Sequence, residues 1–230
     1  MRSMLLSIMF CLISSVSWAM LHSNDTTLWT DFVENPSDGL VYKKFQATPF
    51  TGVVMATPDD PVQRSYEDGV KHGEWVEFDA NGLVKTKSEF SDGQLQKKVG
   101  FEDGKETTEE RYRYYENGQL SSKSNYKDGE LHWLQEGYRE NGQLSYKHNF
   151  KDKKKHGLQE DYHENGYLEF KRSYKSGYKH GLWKRYYKTG QLQYEENYQD
   201  GKKHGLQEFF KKDGSLLFSN KYENGMKVSD

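Results

Sequence analysis

The segment Phe150-Lys-Asp-Lys-Lys-Lys-His156-Gly-Leu-Gln-Glu-Asp-Tyr162-His-Glu-Asn-Gly166-Tyr-Leu168-Glu-Phe-Lys-Arg-Ser-Tyr174 decides the fold, because the chain repeats it. An aromatic residue returns every 24 residues at Tyr126, Phe150, Tyr174, Tyr198 and Tyr222. Leu120, Leu144, Leu168, Leu192 and Leu216 keep the same spacing, as do Gly118, Gly142, Gly166, Gly190 and Gly214, and His132, His156, His180 and His204. A constant period in this range marks a repeat array, in which each unit buries its apolar side chains against the next.

Turn residues split each unit into two strand-length arms. Asn165-Gly166, repeated as Asn117-Gly118 and Asn141-Gly142, predicts a tight hairpin turn, whose positive φ Asn and Gly tolerate. The opposite turn carries Asp128-Gly129, Ser176-Gly177 or Asp200-Gly201, with His-Gly or, once, His132-Trp133 three residues on. Those histidines read as shaping the turn and capping the strand. Alternation in the second arm sets Leu168, Phe170 and Tyr174 on one face and Glu169, Lys171 and Ser173 on the other. A helix pair per repeat is disfavoured, since a turn glycine roughly every 12 residues would cost each helix repeatedly. The expected fold is all-β: an elongated antiparallel sheet of tandem hairpins of about 24 residues each.

Residues 1–19 read as an export signal: Arg2, a short apolar core from Met4 to Ile13, and Ser17-Trp18-Ala19 with small residues where a signal peptidase reads. That core falls short of the roughly 20 apolar residues that span a bilayer. A mature chain beginning near Met20, with no transmembrane segment, is expected in a periplasm or in the medium. Cys11 is the only cysteine and leaves with the signal, so no disulfide and no thiolate metal site is expected. Residues 20–37 read as an N-terminal cap. Residues 38–65 read as a divergent first hairpin with Pro58-Asp-Asp-Pro61 at its turn, and 66–225 as the array, with a half repeat at 90–101. Residues 226–230 form a tail.

Hydrophobic residues make up only 33% of the chain but aromatics 15%, which argues against disorder and makes the rings the carriers of burial. The 33 basic and 35 acidic side chains give a net charge of -2, so no nucleic-acid footprint is present.

Geometry argues against chemistry. Equivalent histidines one hairpin apart lie about 10 Å from each other at the strand spacing, whereas zinc holds each histidine nitrogen at about 2.0 Å. Adjacent acids such as Glu109-Glu110 and Glu195-Glu196 point to opposite faces of a strand, so they cannot flank one bond as a hydrolase requires. No Gly-x-Ser-x-Gly, phosphate loop or cysteine nucleophile occurs; neither an enzyme nor a cofactor is expected. Lys153 to Lys155, Lys179 and Lys202-Lys203 read as solvated edge charge, with attraction of phospholipid headgroups or an acidic partner as the alternative. Tyr115, Trp183, Tyr187 and Phe209 adjoin the ladder Tyr114, Tyr138, Tyr162, Tyr186 and Phe210. Alternation therefore turns them to the reverse face, as a candidate binding patch for protein or glycan.

The pattern Tyr-x-Asp-Gly-x-x-His-Gly-x-x-x-x-Tyr-x-x-Asn-Gly-x-Leu, led by Tyr42-Lys-Lys and Pro49-Phe-Thr-Gly52, resembles the bacterial MORN-variant repeat proteins, including YwqK-family antitoxins. The resemblance runs from Leu40 to Lys227. Lys153 stands where glycine is expected, and Trp133 replaces the glycine of His-Gly. The resemblance implies a sheet of hairpins without enzyme activity, acting as a scaffold that binds another protein, in some members as an antitoxin or immunity partner. An envelope module for polysaccharide or anionic lipid is the alternative.

Overall fold

The computed structural model describes residues 29–228; the expected export signal and the first half of the expected cap lie outside them. The described residues fall into two compact units, one of residues 29–95 with Phe101–Lys105 and one of Gln96–Gly100 with residues 106–228. Among them there is no α-helix, only a short 3-10 turn at Trp29–Asp31, and the fold is all-β.

In the first unit, β1 (Phe32–Glu34) pairs antiparallel with β2 (Val41–Lys43). β3 (Gly52–Val54) pairs with β4 (Val62–Glu67), which is followed by β5 (Val70–Lys71), and β4 also pairs with β6 (Gly73–Phe78), the partner of β7 (Val84–Ser91). Rings join these strands. Phe32 meets Phe50 at 4.6 Å, Tyr66 meets Trp75 at 5.4 Å, and Trp75 meets Phe90 at 5.2 Å. Phe32, Val41, Val54 and Tyr66 form the core of the unit, with Phe50 and Trp75 packed against it. Burial pushes the Tyr66 hydroxyl up to about 12. At the Pro58–Pro61 turn, Arg64 grips both oxygens of Asp60 at 2.6 and 2.9 Å.

β8 (Gln94–Glu102) follows as a single strand between the Asp92-Gly93 and Asp103-Gly104 turns. The second unit then runs β9 (Lys105–Tyr114), β10 (Leu120–Lys127), β11 (Glu130–Tyr138), β12 (Leu144–Lys151), β13 (Lys154–Tyr162), β14 (Leu168–Lys175), β15 (Tyr178–Tyr186), β16 (Leu192–Gln199), β17 (Lys202–Phe210), β18 (Leu216–Glu223) and β19 (Met226–Val228). From β9 to β19 each strand pairs antiparallel with the next in the chain.

The two kinds of turn exchange the roles expected of them. At Asp128-Gly129, Ser176-Gly177 and Asp200-Gly201 both residues have positive φ, and two-residue loops such as that between Lys127 and Glu130 join the strands. This is the mirror-image turn that suits the twist of a hairpin. Lys153 accepts the same conformation, with φ 62°. At Asn165-Gly166 only the glycine is left-handed, with φ 84°. There Gly166 N–H donates to His163 O at 3.0 Å and His163 N–H to Tyr167 O at 2.8 Å, a type I turn closed by a glycine bulge. The asparagine serves through its side chain instead: Asn165 Nδ2 donates to Lys188 O, 23 residues on, at 2.6 Å. A Cβ on Gly166 would meet nothing within 4 Å, so the cost of Gly166→Val is conformational. It should come to about 1–2 kcal/mol, read as a lower urea midpoint.

The His-Gly pairs are not turn residues. They lie inside β11, β13, β15 and β17, at a bulge where Arg172↔Trp183 and Tyr174↔Lys179 are successive partners, so four residue steps on β15 oppose two on β14. Gly157, Gly181 and Gly205 take the left-handed conformation at that bulge, and Trp133 is forced into it with φ 60°. The histidines still tie one hairpin to the next. His132 Nδ1 accepts from Asp152 N–H at 3.4 Å and His156 Nδ1 from Ser176 N–H at 3.3 Å, both 20 residues on.

Candidate functional site

Register sets which side chains share a face. One face of the second unit carries Tyr146, Asp161, Phe170, Arg185, Tyr194, Phe209 and Phe218, one per strand and each opposite the next. Alongside runs His148, Gln159, Arg172, Trp183, Glu196 and Gln207. The rings Tyr174 and Tyr198 lie on the same side, against Trp183 at 5.0 and 5.2 Å. The other face is a charge ladder, in which Lys147, Lys171 and Lys184 reach Glu136, Glu160 and Glu195 at 3.7, 3.7 and 2.8 Å. Part-exposed pairs of this kind, screened by solvent, contribute modestly to stability.

The four aromatics expected to form one patch are not brought together. Trp183 is 7% exposed, and its Nε1 donates to Ser173 O at 2.8 Å. It belongs to the interior and offers no contact surface. Tyr115 and Tyr187 sit at the turns and are half-buried; their hydroxyls donate to Tyr138 O at 2.7 Å and Phe210 O at 3.0 Å. Phe209 is half-buried too, stacked 4.4 Å from the exposed Phe218. Strict alternation misplaced these residues because a register shift separates Gly137 from Tyr138, Asp161 from Tyr162 and Arg185 from Tyr186. A bulge re-aims every side chain beyond it.

Tyr115 and Tyr187 belong to a recurring position that spacing alone could have revealed. Positions 115, 139, 163 and 187 hold Tyr, Arg, His and Tyr. Each donates a side-chain hydrogen bond to the backbone carbonyl 23 residues ahead: Arg139 Nη2 to Tyr162 O at 2.6 Å and His163 Nε2 to Tyr186 O at 3.0 Å complete the set. The residue type varies while the donor is kept, which hides the position from a search for identical letters.

The lysines divide. Lys155, Lys179 and Lys203 lie over Tyr174, Trp183 and Tyr222 at 5.4, 4.1 and 5.1 Å, cation–π contacts that hold them against the sheet. Lys153, Lys154 and Lys202 remain exposed.

Half-buried polar groups lie among the rings. His148 Nε2 is 3.0 Å from Asp161 Oδ1, and Arg172 grips the other oxygen. Burial alone would raise the Asp161 carboxyl, but the His148 hydrogen bond and the Arg172 charge outweigh it and hold the group below the ordinary carboxylate range. A carboxyl with a depressed folded pKa stabilises the fold above its unfolded value, near 3.9, and loses that contribution as pH falls through the folded value. Asp161→Asn should therefore cost about 1.5–3 kcal/mol at neutral pH and narrow the gap to the parent protein in acid. Urea midpoints at neutral pH and near pH 3 check this.

Between the His163 and Tyr187 turns lies a polar cleft of about 420 Å³. Arg139, His163, Glu169, Arg185, Tyr187 and Lys188 are among its lining residues. Arg185 Nη2 meets Glu169 Oε1 at 3.2 Å, and His163 Nδ1 is 3.7 Å from Glu169 Oε2. The Nε atoms of Arg139 and Arg185 are both buried without a hydrogen-bond partner. No group of three or more His, Cys, Asp or Glu that could hold a metal occurs among the described residues.

Residues 110–128, 131–152, 155–176 and 179–200 each match one repeat family. That family is the MORN repeat variant, which these segments match four times in tandem. The MORN segments run from within β9 to the end of β16 and its turn, and β17 with β18 continues the same spacing and register. No curated protein matches the chain. Among solved structures, a TarM variant from S. aureus in complex with fondaparinux, alpha-GlcNAc-glycerol and UDP is similar at 13% identity and TM-score 0.28, over 46% of this chain and 21% of that one. A GtfA/B complex is similar at 16% identity and TM-score 0.20, over 50% and 19%. The chain spans about a fifth of the length of those proteins, and likenesses this slight carry no argument about fold or activity.

Proposed function

We propose that this MORN-repeat chain is an exported, non-catalytic scaffold that binds another protein, in the manner of an antitoxin or immunity partner. One observation carries the reading. Leu216, Leu217 and Phe218, consecutive on β18, are 51, 55 and 45% exposed, so both faces of one strand offer apolar surface. β19 pairs only with Lys221, Tyr222 and Glu223 of β18 and leaves that apolar run beyond its reach. Exposed apolar strands are an aggregation hazard unless something covers them, and clustered exposed apolar residues mark interaction sites. A partner that supplies an extended apolar segment would meet both needs, by adding a strand and seating alternate side chains.

The immobilised chain should retain a discrete protein from an envelope extract, and Leu217→Asp with Phe218→Asp should release it while circular dichroism shows the same β-sheet spectrum. Retention that ignores the double substitution, or no retained protein, overturns the reading. The alternative, a polysaccharide-binding module, is favoured by the polar cleft.

A further inference from the structure

We propose that Trp133 is a stacking platform for a neutral sugar ring, held in the open at a conformational cost that the other repeats avoid. The inference does not rest on the protein-binding reading, since β18 takes no part in it.

The repeat itself singles out the position. Gly73, Gly157, Gly181 and Gly205 stand opposite the aromatic residues Phe90, Tyr174, Tyr198 and Tyr222. All four are left-handed, with φ between 71° and 87°. Trp133 stands opposite Phe150 in the same way and takes φ 60°, a conformation that glycine adopts freely and a residue with a Cβ does not. Burial does not offset that cost. The tryptophan is 44% exposed and meets the ring of His132 edge-on at 4.6 Å. Unfavourable backbone of this kind collects at sites that use it, and tryptophan is among the side chains most enriched as binding anchors.

The surroundings define the ligand. The turns 127–130 and 151–154 adjoin the indole: Asp152 N–H donates to His132 Nδ1 at 3.4 Å, Lys153 N–H to Leu131 O at 3.1 Å, and Lys153 Nζ to Glu130 Oε1 at 2.7 Å. Those turns hold four lysines, three carboxylates and no apolar side chain. Charge is nearly balanced there, so the field selects neither a strong anion nor a strong cation. The indole is an isolated apolar plane within a polar rim, whereas a protein footprint has a contiguous apolar core. A pyranose matches the plane and the rim, because its C–H face is apolar and its hydroxyls lie around the edge. The side chains of Asp152 and Lys153 are 69 and 65% exposed; the carboxylate accepts from a hydroxyl and the ammonium donates to one.

The test titrates the full chain, with nitrogen-labelled tryptophan, with cellohexaose and chitohexaose as neutral saccharides and with hexagalacturonate and choline as charged controls. A neutral saccharide should shift the Trp133 indole N–H signal, and both controls should shift it less. Trp133→Gly should weaken that binding about tenfold or more, as loss of an anchoring aromatic does. Because it restores the residue of the other repeats, the same variant should unfold in urea at or above the parent's midpoint. Trp133→Tyr keeps an aromatic plane and should retain more of the binding than Trp133→Gly. No shift with either neutral saccharide at millimolar concentration, a larger response to a charged control, undiminished binding by Trp133→Gly, or a Trp133→Gly midpoint below the parent's overturns the proposal.

Discussion

Trp183→Ala should destabilise the protein by about 3–5 kcal/mol, the usual cost of emptying a buried tryptophan site. The indole is 7% exposed. It packs between Tyr174 and Tyr198 at 5.0 and 5.2 Å, donates to Ser173 O and lies under Lys179 at 4.1 Å. Alanine would remove the ring contacts on both sides and leave the Ser173 carbonyl without that donor. Trp133 is the internal control: it is 44% exposed and touches His132 edge-on at 4.6 Å. Trp133→Ala should cost under about 1 kcal/mol, as surface changes do. Urea unfolding followed by circular dichroism compares the two. A Trp183→Ala midpoint equal to that of Trp133→Ala would show that the rings do not form the spine.

The repeat, the strand content and the ring spine were legible in the sequence because they depend on identical letters at constant spacing. Tyr126, Phe150, Tyr174 and Tyr198 announce themselves in that way. What escaped depended on backbone conformation. Glycine marks both turns equally, yet Asp200-Gly201 takes two positive φ values and Asn165-Gly166 only one, because the second turn closes on a bulge. Trp183 was misread for the same kind of reason. A parity count back from Tyr186 assumes unbroken pairing, but the register shifts between Arg185 and Tyr186, so Trp183 stands opposite Arg172 on the ring face. The cleft was hidden differently. Its donors Arg139 and His163 are unlike letters in one structural role, and only their shared acceptor, the carbonyl 23 residues on, shows the equivalence.

The same latches predict the outcome of cutting the array. Deleting Phe150 to Ser173, one full period, returns an equivalent acceptor to every donor. Tyr186 O replaces Tyr162 O for Arg139, and Ser176 N–H replaces Asp152 N–H for His132, as those residues serve the next hairpin now. Each strand keeps an antiparallel neighbour of the same kind, and stability in such arrays is close to a sum over neighbours. Deleting Phe150 to Asp161 removes the end of β12, the turn after it and all of β13 but Tyr162. The Asn165-Gly166 turn would then follow β12 at the end where a two-residue turn belongs, and the latches of His132 and Arg139, which cross the cut, would be broken.

Thermal melts of these two deletions test most directly the claim that identical hairpins dock in register through nearest-neighbour latches. The account predicts that the 24-residue deletion keeps the parent's β-sheet spectrum and a cooperative melt, and that the smaller cut loses both. A half-period deletion that melts at or above the full-period one would contradict it.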